Sequence, residues 1–200
     1  MIYFTADYSD REELLSLGAT FDFARWQWRV ESYADYKKFA RFLKGKIITR
    51  GKIRFLQADF NCPFCGKPAS AYAMCIGAYT ENFSSQLYGA GEINILYGFE
   101  KLSGELAELV AEKFGIKKVF SPVDGYKYLS NSCKHCEKPF VDWYFFDEPD
   151  SPFFLDTPEK AAKLKVYAYE PTGDTCLDGT VKWSFPESVI KDCGEAIIKR

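Results

Sequence analysis

Cys62-Pro63-Phe64-Cys65-Gly66-Lys67-Pro68 and Cys133-Lys134-His135-Cys136-Glu137-Lys138-Pro139 both read C-x-x-C-x-K-P. Two thiolates two residues apart can bind one metal ion from a single tight turn, because the intervening backbone folds back beneath it. Two such hooks complete the four-sulfur shell that a structural zinc prefers. The spacing therefore predicts one zinc per chain on Cys62, Cys65, Cys133 and Cys136.

Three other readings compete for the same residues. Disulfides fit poorly: the opening Met1-Ile2-Tyr3-Phe4-Thr5-Ala6-Asp7 lacks the pattern of a secretory signal, and seven cysteines is an odd number. A redox dithiol needs the first cysteine at a helix N-terminus, and Gly66 and Pro68 oppose a helix there. His135 is the only histidine in the chain. It occupies the middle of a hook, whose side chains point away from a metal.

Outside the hooks, composition sets the bounds. With 47% hydrophobic and 18% aromatic residues, the 200-residue chain can build a sizeable core. No run approaches the ~18 apolar residues of a membrane helix, so the expectation is a soluble, cytoplasmic protein. A net charge of −2 argues against indiscriminate polyanion binding. Charge is unevenly spread, however: from Arg29 to Arg54 there are nine Lys or Arg against two acids.

Hydrophobic periodicity predicts an α+β protein of three segments. Residues 1–45 read as a small α/β unit. It has a strand at Met1–Ala6, a helix opened by the Ser9-x-x-Glu12 capping box and stopped at Gly18, a strand at Phe21–Val30, and a second helix from Ser32 to Gly45. Trp28 alternates with Gln27 and Arg29, which makes it a core residue. Residues 46–156 read as an elaborated zinc ribbon. Strands are expected into and out of each hook, at Lys52–Phe60, Ala69–Ile76, Tyr126–Leu129 and Val141–Phe146. A helical insertion capped by Ser103 lies between the hooks. Residues 157–200 supply strands at Lys165–Glu170 and Thr180–Phe185 and an amphipathic helix from Pro186 to Ile198, completing the ribbon domain. Cys75 reads as a packed core thiol, and Cys176 and Cys193 lie outside both hooks.

Two stretches resemble known families. Tyr8-Ser9-Asp10-Arg11-Glu12-Glu13-Leu14-Leu15-Ser16-Leu17-Gly18-Ala19, with Phe21-Asp22 and Trp28-Arg29-Val30, is similar to a small bacterial domain of unknown function. That domain recurs in plasmid and phage proteins, including primase-like proteins that handle DNA. Leu15 departs from it, since the family usually has lysine there. Asn131-x-Cys133-x-x-Cys136, Asp142, Phe146-x-Glu148-Pro149 and Pro152-Phe153 resemble a second group, uncharacterised bacterial zinc-ribbon proteins. Neither resemblance implies a chemistry.

Function is read at two levels. The leading expectation is a non-enzymatic zinc-stabilised binding module or adaptor in bacterial or phage DNA transactions. Arg29, Lys37, Arg41, Lys44, Arg50, Lys52 and Arg54 would then form a face for single-stranded nucleic acid, with Arg25 and Trp26 beside it; the competing and favoured reading of these cations is an ordinary solvated surface. The alternative is a protein–protein interaction factor, a regulator or inhibitor, that uses exposed aromatics. An enzyme built on Asp142, Asp147, Glu148 and Asp150 is the weakest reading, because those acids fit a solvated turn.

Overall fold

In the computed structural model, which describes residues 1–81, 83–99, 102, 104–121, 125–140 and 142–198, the chain has an α+β fold. The expected cap Ser103 and Val141, the first residue of the expected strand over 141–146, lie outside the described residues.

The first elements are β1 (Ile2–Phe4), α1 (Arg11–Ser16), β2 (Thr20–Asp22) and β3 (Gln27–Val30), whose strands pair in the order β1-β3-β2. Trp28 stands opposite both Phe4 and Phe21, and with Leu14 and Val30 it fills the core beneath the helix. The capping box does not form. A 3-10 turn at Tyr8–Asp10 precedes α1, so Ser9 lies inside helical turns and Asp10 takes the cap position without a side-chain bond. The second helix is also shorter than expected, a 3-10 helix over Tyr33–Phe39. Gly45 does not end it. A Cβ on Gly45 would lie 2.3 Å from the Leu177 carbonyl oxygen, so this glycine permits close approach of two backbones.

That approach fastens the small unit to the rest. After β4 (Ile47–Thr49) come β5 (Ile53–Asn61), β6 (Pro68–Ile76), β7 (Tyr79–Glu81) and β8 (Glu92–Tyr97). Helix α2 (Gly104–Phe114), the hairpin of β9 (Lys117–Phe120) and β10 (Lys127–Ser130), and helices α3 (Asp142–Phe146) and α4 (Pro158–Ala161) follow. The chain ends with β11 (Lys165–Tyr169), β12 (Thr175–Leu177), β13 (Thr180–Pro186) and β14 (Glu195–Ile197). A six-stranded sheet runs β13-β8-β6-β5-β11-β14, with β9 and β10 paired apart from it and β12-β4-β7 forming a further three-stranded sheet. Asp174, just before β12, accepts a hydrogen bond from the Tyr36 hydroxyl at 2.8 Å and donates its backbone N–H to the Met1 carbonyl at 2.7 Å.

The large sheet is covered on both faces. One face carries Leu56, Ala73, Cys75 and Ile95 against Phe140, Phe145, Phe146, Phe153 and Ile190. The other carries Phe55, Met74 and Leu96 against Leu106, Val110 and Phe114 of α2. Direct cross-strand partners share a face, and Phe55↔Met74↔Leu96 and Arg54↔Cys75↔Ile95 follow that rule. Cys75 is fully buried, and burial pushes its thiol well above the ordinary range.

Two expected elements change type. Residues 142–146 form a helix rather than a strand, because both Phe145 and Phe146 must enter the same core. Adjacent residues of a strand would point to opposite faces. The expected C-terminal helix is absent. β13 extends to Pro186, a 3-10 turn spans Glu187–Ile190, and Gly194 at φ 67° frees the chain to add β14 in parallel to β11. Among the described residues no helix is long and apolar enough to cross a membrane.

Candidate metal centre

β5 and β6 pair over nine residues, from Ile53↔Ile76 to Asn61↔Pro68, and the first hook is the turn that joins them. Cys62 N–H donates to Lys67 O at 2.9 Å and Gly66 N–H to Cys62 O at 2.8 Å. The second hook repeats this pattern: Cys133 N–H donates to Lys138 O at 3.0 Å and Glu137 N–H to Cys133 O at 2.8 Å. In each, an N–H two residues after the first cysteine points at its sulfur, from Phe64 to Cys62 Sγ and from His135 to Cys133 Sγ, both at 3.4 Å. The two hooks are local copies of one another.

They differ in how they are carried. The second hook is entered from β10 and left through α3, with only a bridge between Ser132 and Pro139 to close it. The expected strand out of that hook is therefore missing, and the ribbon plan holds at the first hook alone. Asn131 makes up the difference. Its Nδ2 donates to Tyr72 O at 2.9 Å and its Oδ1 accepts from Tyr72 N–H at 2.8 Å, as a strand neighbour would. This pair docks the second hook on β6. The His135 ring adds a contact from Nε2 to Pro68 O at 3.1 Å, so the only histidine ties the hooks together from outside the sulfur group.

The four sulfurs converge. All lie within 4.8 Å of one another, with Cys62–Cys136 and Cys65–Cys133 at 3.8 Å. Those separations far exceed the ~2.05 Å of a disulfide. Cys62 and Cys133 are buried. Burial opposes ionisation of Cys133, but the N–H groups of Cys136 and His135 outweigh it and lower the thiol. At Cys136 the Lys138 N–H favours the thiolate, yet desolvation and the three neighbouring sulfurs win and raise it. Several thiolates at this spacing repel one another, and a bound cation removes that conflict. The group could hold one metal ion, and no other His, Cys, Asp or Glu cluster of this kind exists among the described residues.

Gly66 and Glu137 occupy equivalent positions, at φ 72° and φ 60°. A side chain costs roughly 1–2 kcal/mol in that left-handed region. Glu137→Gly should therefore stabilise the metal-loaded protein by up to about 1 kcal/mol, after allowing for glycine's freer unfolded chain. A thermal melt reads this as a rise of about 2–4 °C, and a lower midpoint would contradict the strain argument.

Five of the seven basic candidates already have carboxylate partners. Arg29 pairs with Glu31 at 2.9 Å, Arg50 with Asp174 at 3.3 Å, and Arg41 with Asp10 at 3.4 Å and with Glu13. Lys52 pairs with Glu195, and the half-buried Arg54 bridges Glu187 and Glu195, the latter at 2.7 Å. Lys37 and Lys44 are exposed and in no ion pair among the described residues. The four-residue spacing of Lys37 and Arg41 has no α-helix to act on, because the 3-10 helix ends at Phe39. Arg50 and Lys52 precede β5, so only Arg54 lies on that strand. Arg25 pairs with Asp22 and sits over the Tyr3 ring at 5.0 Å, while Trp26 beside it is exposed.

The acidic residues do not gather either. Asp147 is held by Lys182, and Glu148 and Asp150 are exposed. Asp142 is largely enclosed beside Tyr72, Leu96 and Asn131, and burial, then Asp147, pushes its carboxyl up to about 6. Between its ordinary 3.8 and 6 the folded chain holds a proton that the unfolded chain releases. That stabilisation is complete at low pH and is lost as pH rises through about 6. Asp142→Asn should raise stability by up to about 3 kcal/mol at alkaline pH and by little at low pH. Denaturant unfolding of both proteins at two pH values checks this, and an equal gain at both would contradict it.

Lys113, Lys117 and Lys134, which line a cleft beside the second hook, were not among the sequence-based candidates. Their signal was present: residues 113–138 hold six lysines against two acids. No family model matches the chain, and neither a curated protein nor a solved structure matches it.

Proposed function

We propose that the chain is a zinc-stabilised, non-enzymatic binding module. The observation that carries this reading is the sulfur geometry. A tetrahedron with Zn–S bonds of about 2.3 Å has sulfur–sulfur edges of about 3.8 Å, the separation found for Cys62–Cys136 and Cys65–Cys133. Four protein thiolates fill a tetrahedral shell and leave no position for water or substrate, which makes the metal structural. Zinc suits such a shell because it binds thiolates well and, as a d10 ion, imposes no geometry of its own. Thiolates kept as ligands also call for a reducing compartment, so the reading places the protein in the cytoplasm.

The module's role follows from what the metal holds in place. The zinc joins the tip of the β5–β6 hairpin to the segment after β10, which sit 68 residues apart at Cys65 and Cys133. A bound metal would fix the surface composed from both. The likeness of residues 1–45 to a domain of primase-like proteins supports an adaptor in bacterial or phage DNA transactions. Native mass spectrometry of the purified chain should show one zinc per polypeptide. Cobalt substitution should give the ligand-field spectrum of a four-sulfur site. A metal-free, fully folded chain, or a spectrum of mixed oxygen ligation, would sink the proposal.

A second reading, a protein–protein interaction factor, is favoured by the turn between β2 and β3. Phe23 is 76% and Trp26 75% exposed there, both packed edge-on against Phe21 at the rim of the small core.

A further inference from the structure

We propose that the lysine-lined cleft beside the second hook binds the phosphate backbone of single-stranded nucleic acid. The inference rests on the binding-module reading and names its partner and its surface. The surface is not the Arg29–Arg54 stretch.

The cleft encloses about 340 Å³, and Lys113 from the end of α2, Lys117 from β9 and Lys134 from the second hook converge on it, with Ser70 and Tyr72 of β6 as its floor. A second cleft of about 540 Å³ shares Ser70 and Lys134 and adds Lys165. The two clefts adjoin at Ser70 and Lys134, and the second hook's Cys133 lines the first of them. Lys113, Lys117 and Lys134 are exposed, and among the described residues none of them is in an ion pair. The contrast with the earlier stretch is physical. Arg29, Arg41, Arg50, Lys52 and Arg54 already have carboxylate partners. An ammonium held only by water and mobile counterions gains more from a phosphate, because binding releases those counterions. Two acids border the groove. Asp59 is occupied by Lys165 at 2.8 Å, and Glu137 is the one acid of the larger-lysine cleft.

Two exposed rings lie outside the cleft linings, each with a further lysine beside it. Phe120 is 58% exposed at the end of β9 and stands directly opposite Lys127 on β10, so ring and ammonium share a face of the hairpin. Phe64 at the tip of the first hook is 47% exposed, with the Lys138 ammonium 5.1 Å from its ring centroid. Cations gathered in a cleft that can follow a phosphate backbone are the electrostatic feature of single-strand binding, and exposed rings outside it add sites on which bases can stack.

The test uses the zinc-loaded full chain and a fluorescein-labelled oligothymidylate, read by anisotropy between about 50 and 200 mM salt. Binding should weaken steeply with salt. Lys113→Glu with Lys117→Glu should weaken it by roughly tenfold or more and reduce the log–log salt slope by about 1.4, the loss of two phosphate contacts. Lys37→Glu with Lys44→Glu, equal in charge change but on the small unit, should alter it by less than about twofold. Equal loss in both double variants, or binding that ignores salt, overturns the proposal. So does displacement of the oligonucleotide by poly-glutamate at matched charge, which would assign the groove to an acidic protein. Zinc content is measured on the same samples: one zinc without oligonucleotide binding defeats this inference alone, whereas absence of zinc defeats the module reading beneath it.

Discussion

Cys133→Ser should release the metal and lower the thermal midpoint by at least about 10 °C. In small zinc domains metal binding supplies on the order of 10–16 kcal/mol of folding free energy. Here the six-stranded sheet has cores on both faces, so part of the fold persists without metal and the expected loss is smaller, about 5 kcal/mol. At about 2–4 °C per kcal/mol for a chain of this size, that gives the stated shift. Cys133 is the appropriate ligand to remove because it is 1% exposed and its carrier segment has no full strand partner. Once the sulfur is gone, the second hook depends on the Asn131–Tyr72 pair and the His135–Pro68 contact. Cys193→Ser is the control: its thiol donates to Ala161 O at 3.2 Å, a bond a hydroxyl can replace, so metal content and midpoint should stay near those of the parent. Stoichiometric zinc retained by Cys133→Ser would remove the basis for the four-sulfur assignment.

Trp28→Ala should destabilise the protein by roughly 3–5 kcal/mol, through lost transfer energy and the cavity left behind. The indole is 6% exposed and packs edge-on to Phe21 with ring centroids 5.2 Å apart. The effect should reach beyond the small unit. Ile48 of β4 belongs to the same core, and Tyr36, fixed by that core, holds Asp174 in the loop before β12. Unfolding in denaturant, followed by tryptophan fluorescence and by far-ultraviolet circular dichroism, should therefore show one transition moved to lower denaturant. A stable Trp28→Ala chain that loses only a binding activity would make Trp28 a contact residue instead.

How far these features were legible in the sequence depends on the range of the interactions behind them. The hooks were legible because a C-x-x-C turn is local: six residues set the N–H···S and N–H···O bonds, and both hooks repeat them. Trp28 was legible from period-two alternation, since one face of its small sheet is open. The strands of the large sheet lack such alternation, because β5 and β6 are buried on both faces. Segment 142–146 is rich in β-forming aromatics, yet it is helical because one core must take both Phe145 and Phe146. The C-terminal turn and β14 answer to the unpaired edge of β11, which no nearby residue announces.

Charge divides in the same way. Counting residues located an excess of cations between Arg29 and Arg54, but partners distant in sequence, Asp174, Glu187 and Glu195, engage several of them. The lysines at 113, 117 and 134 come from a helix, a strand and a metal hook, and only the docking of the hook on β6 brings them to one cleft. By itself the sequence determined the four clustered cysteines, the α+β class and the small aromatic core, all set by short-range spacing. Tertiary structure decided which strand edges are filled, which charges are neutralised and which remain available, because those outcomes depend on contacts between residues far apart along the chain.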